Sequence, residues 1–251
     1  MKKYVLSLLV LLVGTPCFGM NLSDIRTTIR RLVRDNGSAV ANRRYSDAEL
    51  RDFINEGQKE INSLLAPCQK TTSYVLTGGV TYYNLPPDFL NIDQAYFDDR
   101  QGNRIELEEK SRNGLVDYNI EWEKDSGEPT TYLIEFATSA VQNSTRSLRI
   151  GYTPTPVAST TTASTGTVTL WYYFQFADVS ADSDLPFDGM RHLFPYHYIL
   201  VYYTAMRCML MEGITDEASA YGKMYQNYLA VMDSRMKQMP NYNPSMKVDV
   251  R

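Results

Sequence analysis

The two histidines of the chain are His192 and His197, and they are the first residues to test for chemistry. Five positions apart on a helix, they diverge by roughly 140° and cannot share one metal ion. A structural zinc site needs four nitrogen or sulfur ligands, and the three cysteines do not complete one. Both histidines therefore read as satisfied structural residues. Asp178, Asp182, Asp184 and Asp188 form an oxygen-rich loop of the kind that can hold calcium. They lack the ligand order of an EF-hand, so the loop reads as solvated, with Asp184 or Asp188 capping the next helix. Ser234 and Lys237 match S-x-x-K, but on a Met-rich helix face the match reads as chance. No GxxxxGK phosphate loop, HExxH or GxSxG is present. No catalytic, cofactor-binding or metal-binding residue is assigned, no cofactor is expected, and the chain reads as a non-enzymatic interaction protein.

Binding residues are easier to find. Arg26, Arg30, Arg31, Arg34, Arg43 and Arg44 crowd one N-terminal stretch. Of these, Arg30, Arg31, Arg34, Arg43 and Arg44 are the candidates to touch DNA phosphates or an acidic partner. A solvated helix face suited to its C-terminal dipole is the simpler reading. Eight of the 11 Met lie at or after Met206. Met fills gaps and also lines adaptable binding faces. Met239, Tyr242, Pro244, Met246 and Val248 continue into a tail with no core to fill, and make it a candidate docking strand. Trp171, Tyr172 and Tyr173 could stack on sugar rings, which gives an alternative reading as a secreted or periplasmic carbohydrate- or ligand-binding module with an aromatic sheet face.

The 251 residues are 43% hydrophobic and 22% charged, so the chain is neither disordered nor a fibre. A net charge of −4 argues against a protein that wraps nucleic acid with its whole surface. Residues 1–19 have a basic start at Lys2 and Lys3, an apolar run and a small residue at Gly19, the grammar of a secretory signal. The alternative is that translation starts at Met20.

These residues need elements to position them. Leu22 to Leu65 reads as two helices, the first capped by Ser23 and stopped at Asp35-Asn36-Gly37, with Gly37 free to take positive φ. The second is opened by the capping box Ser46-Asp47-Ala48-Glu49. Thr71 to Leu76 and Thr81 to Leu85 read as strands of a hairpin around Gly78-Gly79. Ile92 to Phe97 pairs with Arg104 to Leu107 across a turn, and Leu115 to Trp122 is ambiguous. Thr130 to Phe136, Arg146 to Tyr152 and Thr167 to Phe176 complete the strands. Residues 158–167, seven of them Ser or Thr, read as a flexible loop. Phe187 to Met211 and a segment opening at Thr215-Asp216-Glu217 read as the last helices. The predicted fold is α+β: a helical bundle from the N- and C-terminal helices, 20–66 plus 187–239, with an inserted antiparallel β domain at 70–185. Residues 240–251 form an extended tail.

Several segments together resemble a known family. Tyr45-Ser46-Asp47-Ala48-Glu49-Leu50 followed by Phe53-Ile54-Asn55-Glu56-Gly57 is similar to the opening of tailed-phage head–tail adaptor (connector) proteins, of the podovirus tail-adaptor type. Tyr83-Asn84-Leu85-Pro86-Pro87-Asp88-Phe89-Leu90 looks like their Y-x-L-P-x-D-F-L turn. Gly127-Glu128-Pro129-Thr130-Thr131-Tyr132 resembles their G-x-P-x-x-Y start of a strand, and Pro154-Thr155-Pro156 their strand end. The resemblance runs from Met20 to about Lys237. It implies a structural virion subunit in a homo-oligomeric ring, usually a dodecamer, below the portal. Such a ring joins the portal protein to the tail (nozzle or tube) proteins and lines a channel through which DNA passes without sequence specificity. It also implies assembly in the host cytoplasm, a place in the virion neck, and a start at Met20.

Overall fold

A computed structural model of the chain describes residues 19–35, 43–66, 68–99, 101–136, 148–156 and 164–238. They fall into two compact units, Met1–Glu60 with Ala177–Arg235, and Ile61–Phe176 with Met236–Arg251. The Ser/Thr-rich segment up to residue 163 and the tail from residue 239 lie outside the described residues, as do residues 1–18.

The first unit is built on helices. α1 spans Leu22–Leu32 and buries Leu22, Ile25 and Ile29 at helical spacing. Its cap is Asn21, not the expected Ser23. Asn21 Oδ1 accepts from Asp24 N at 2.8 Å, and Asp24 Oδ2 accepts from Asn21 N at 3.3 Å. The helix is closed off beyond its C-cap Val33 by Arg34, whose φ of 55° lets Asp35 N donate back to Arg30 O at 2.8 Å. Gly37, expected to play that part, lies outside the described residues. α2 spans Asp47–Leu65 and opens on the predicted capping box. Glu49 Oε2 accepts from Ser46 N at 2.8 Å, and Ser46 Oγ accepts from Glu49 N at 3.1 Å. The part of α2 up to Glu60 belongs to this unit.

The single long helix predicted from Phe187 is three pieces. Short 3-10 turns cover Phe187–Gly189 and Arg191–Tyr196, and α4 spans His197–Met211. Pro195 explains the break, because its ring fills the place of an N–H donor. α5 follows at Thr215–Met236. The most extensive helix-to-helix backbone contact among the described residues is α1 on α4.

The second unit carries the strands, which form three sheets. The largest has the order β1 (Gln69–Thr77), β10 (Ser164–Phe174), β3 (Phe89–Asp98), β4 (Arg104–Glu106), all antiparallel. The predicted pairing of β3 with β4 is present, with Phe97 opposite Ile105. The second has the order β2 (Tyr82–Asn84), β8 (Leu148–Thr153), β7 (Thr131–Phe136), β5 (Glu108–Glu109), and its β5–β7 pairing is parallel. The third pairs β6 (Ser126–Gly127) with β9 (Thr155–Pro156), also parallel. α3 spans Arg112–Tyr118, followed by a 3-10 turn at Trp122–Lys124.

The class is α+β, but the predicted architecture is corrected: a terminal helical bundle with an inserted antiparallel β domain is not what the chain forms. Strands dominate the middle as three separate sheets, two of them with parallel pairings. The boundary between units falls inside α2, after Glu60, rather than at a linker. The hairpin around Gly78-Gly79 is corrected as well. The turn exists, with Val80 N donating to Thr77 O at 3.1 Å, but β1 and β2 go to different sheets. A tight turn sets chain reversal; the partner strand is set by which long-range edge buries more apolar surface.

Candidate partner-docking site

The N-terminal arginines sit on α1 and on the segment that leads into α2. Arg30 is buried and faces inward. Its guanidinium donates to Asp35 Oδ2 at 2.5 Å, to the Tyr45 carbonyl at 2.9 Å and to Asp47 Oδ1 at 2.8 Å. Asp35, also buried, accepts from Arg44 N at 2.8 Å. Arg44 in turn donates to both carboxylate oxygens of Glu212, at 2.9 and 2.8 Å, and to the Val33 carbonyl at 2.7 Å. The Tyr45 hydroxyl lies 2.8 Å from the Cys208 carbonyl and 2.7 Å from Glu212. Arg43 pairs with Asp47 at 3.4 Å, and Arg26 pairs with Asp182. Hydrogen bonding from Arg30, reinforced by the charges of Arg26, Arg30 and Arg43, holds the Asp47 carboxyl below the usual carboxylate range. Arg30, Arg43 and Arg44 thus form a clasp that ties the end of α1 to the start of α2 and to Glu212. Of the five predicted arginines, Arg31, in the last turn of α1, and Arg34, just beyond it, are exposed, as is the paired Arg44.

The acidic loop is organised by its own backbone. Asp184 Oδ2 accepts from Ser180 N and Ala181 N, each at 2.8 Å, and these bonds lower its pKa. Asp188 accepts from Ala177 N at 2.9 Å. Neither caps a helix, which corrects that expectation: Asp184 closes a turn upstream, and no side chain caps the 3-10 turns that follow. Among the described residues, no group of three or more His, Cys, Asp or Glu could hold a metal ion. His197 is fully buried against Phe187 and Phe194, at ring-centroid distances of 5.7 and 5.4 Å. Its Nδ1 lies 2.9 Å from Met20 N and 3.0 Å from Met20 O, so the ring holds the Met20 peptide. Burial pushes its pKa down to about 4, so the ring is neutral at pH 7. Cys208 is buried on α4, and burial pushes its thiol up to about 12.

The Met- and Tyr-bearing helices border an open groove of about 570 Å³, lined by Met206, Leu210, Ala218, Gly222, Lys223 and Tyr225 among others. Met206 lies over Gly222, where an added Cβ would come within 3.3 Å of its sulfur. Tyr225 donates to Glu60 Oε1 at 2.9 Å, and Tyr202 packs on Tyr228 at 5.4 Å. The docking-tail residues Met239, Tyr242, Pro244, Met246 and Val248 lie outside the described residues.

The aromatic sheet face does not form. Trp171 is exposed, but Tyr172 and Tyr173 are both buried. Register shifts flank this pair on both sides where β10 meets β3, so the alternation of an ideal strand is broken. Their hydroxyls are each 3.3 Å from a carboxylate, Asp88 and Asp93. A single exposed ring is not the predicted sugar platform.

Sequence reading missed a different surface. Tyr118 and Ile120, at the end of α3, are 91% and 82% exposed. The signal was available in the ambiguous stretch from Leu115 to Trp122, where large apolar residues alternate with acids and no single helical or strand face collects them. Among the described residues no helix is long and apolar enough to cross a membrane.

No curated protein matches this chain. The model of the SU10 adaptor protein family matches residues 20–248, and over that span the chain belongs to this family of phage head–tail adaptors.

Proposed function

We propose that the chain is a structural subunit of the phage neck, forming a ring below the portal protein that joins it to the tail proteins and surrounds the passing DNA. The observation that carries this reading is the family match over residues 20–248. The ring has cyclic symmetry, with twelve copies as the expected number, and assembles in the host cytoplasm. Its acidic balance, net −4, suits a channel that DNA traverses without sticking. Arg31 and Arg34, exposed at and just beyond the end of α1, are the candidates to meet phosphate or an acidic partner surface. The Met-bearing segment from Met239 to Val248 is the candidate to dock on portal or neighbour.

The test is the composition of purified particles. Mass spectrometry and cryo-electron microscopy of virions should find the chain in the neck as a ring in contact with portal and tail. Its absence from particles, or its recovery from the periplasm, would overturn the proposal.

A further inference from the structure

The segment after α3 is built to hold two apolar side chains in water. Tyr118 and Ile120 are 91% and 82% exposed, yet the backbone between and around them is fastened. Ser111 Oγ accepts from Gly114 N at 3.1 Å and caps the helix. Asn119 is the knot: its N–H donates to the Leu115 carbonyl at 2.9 Å, and its carbonyl accepts from Trp122 N at 3.1 Å. Its side chain accepts from Glu121 N at 2.9 Å and donates to Asp125 at 2.8 Å. On either side, Leu115 and Trp122 are buried in one cluster with Leu133 of β7. A loop rooted at both ends and tied in the middle does not need its two largest apolar residues outside for its own stability. Exposed Tyr on a preorganised backbone is the composition of a protein-binding hot spot, because little entropy is lost on docking.

The charges around the pair say what it fits. Residues 112–128 carry Asp117, Glu121, Glu123, Asp125 and Glu128 against Arg112 and Lys124. Both cations are already engaged, Arg112 with Glu123 at 2.7 Å and Lys124 with Glu121 at 2.6 Å. The surroundings are therefore acidic, which repels nucleic acid and attracts a basic surface. We infer that Tyr118 and Ile120 form an apolar knob that plugs into a pocket rimmed by Lys and Arg on a partner protein of the particle.

The test rests on the neck-subunit reading, so it begins by showing the wild-type chain in particles. A phage lacking its own copy of the gene is complemented with wild type, with Tyr118→Ser/Ile120→Ser, or with Asp117→Lys/Glu121→Lys. Both variants change exposed side chains, and the purified proteins should melt within a degree or two of wild type. Each variant should lower the copies per particle at least tenfold. Wild type missing from particles would refute the neck reading. Wild type present with the apolar variant incorporated normally would refute the knob. Loss confined to the apolar variant would refute the basic rim. Loss of self-association by the isolated apolar variant would make the socket a second copy and overturn the foreign partner.

Discussion

Replacing His197 with Phe should remove one specific arm of the protein's pH dependence. His197 is fully buried, and its pKa is pushed from 6.5 to about 4 by burial. The unfolded chain therefore takes up this proton at a higher pH than the folded chain does. Stability contributed by the neutral ring is complete above pH 6.5, falls as pH drops toward 4, and is gone below. The depression corresponds to about 3 kcal/mol, or roughly 6–12 °C in Tm for a chain of this size. Carboxylates held low, such as Asp47 and Asp184, lose their contribution only below the ordinary carboxylate value of 3.8, so the two windows separate. The exposed His192 also has its pKa lowered by partial desolvation, but it titrates in both proteins and cancels in the difference. Phe keeps the ring contacts with Phe187 and Phe194 and gives up the hydrogen bond to Met20, at about 1 kcal/mol. The assay is urea unfolding followed by helical circular dichroism between pH 4 and 7. Wild type should lose stability across that range more steeply than the variant, the difference approaching about 3 kcal/mol. Parallel curves would show that His197 is not the buried neutral group argued here.

Arg30→Met should destabilise by about 3 kcal/mol in urea, because it leaves Asp35 buried without its cation. Arg43→Ala, which loses only a half-exposed pair with Asp47, should cost less than about 1 kcal/mol in the same assay. Asp47→Asn should blunt acid unfolding, since a carboxyl held low stabilises above its ordinary value of 3.8 and is lost as pH falls below it; melting curves from pH 2 to 6 check this. Cys68 and Cys208 are buried, so peptide mapping after thiol labelling at pH 8 should find both unmodified until urea is added. Gly57→Ala should destabilise by about 1 kcal/mol despite the better helix former, because the new Cβ would sit 2.8 Å from the buried ring of Tyr203.

What was legible in the sequence was local. The Ser46–Glu49 capping box, the β3–β4 pairing around its polar turn and the strand at Thr131–Phe136 each depend on neighbours in the chain, and each is present. What was not legible depended on distant partners. Gly78-Gly79 signals a turn, but only the competition among β8, β10 and β2 decides that β1 does not pair with its successor. Trp171-Tyr172-Tyr173 alternates on paper, and the register shifts that bury both tyrosines arise from pairing with β3, about eighty positions away. Asn21 lies one residue outside the apolar periodicity of α1, so a rule that starts from that periodicity selects Ser23 instead.

The site residues inverted their ordinary meaning in the same way. Charged residues that suggested an external ligand are paired internally: Arg30, which is buried, and Arg43 and Arg44, which are not, find carboxylates within their own unit. Apolar residues in the ambiguous stretch face outward: Tyr118 and Ile120 stand in water beside Leu115 and Trp122, which do the anchoring. A charge can be neutralised by whichever partner the fold brings near, so its type does not reveal its use. A large apolar side chain has no such substitute in water, and its exposure on a fastened backbone needs a cover. The two groups should therefore separate by phenotype. Substitutions in the arginine clasp should show in the stability of the isolated protein, and substitutions at the knob should leave stability intact and show in assembly.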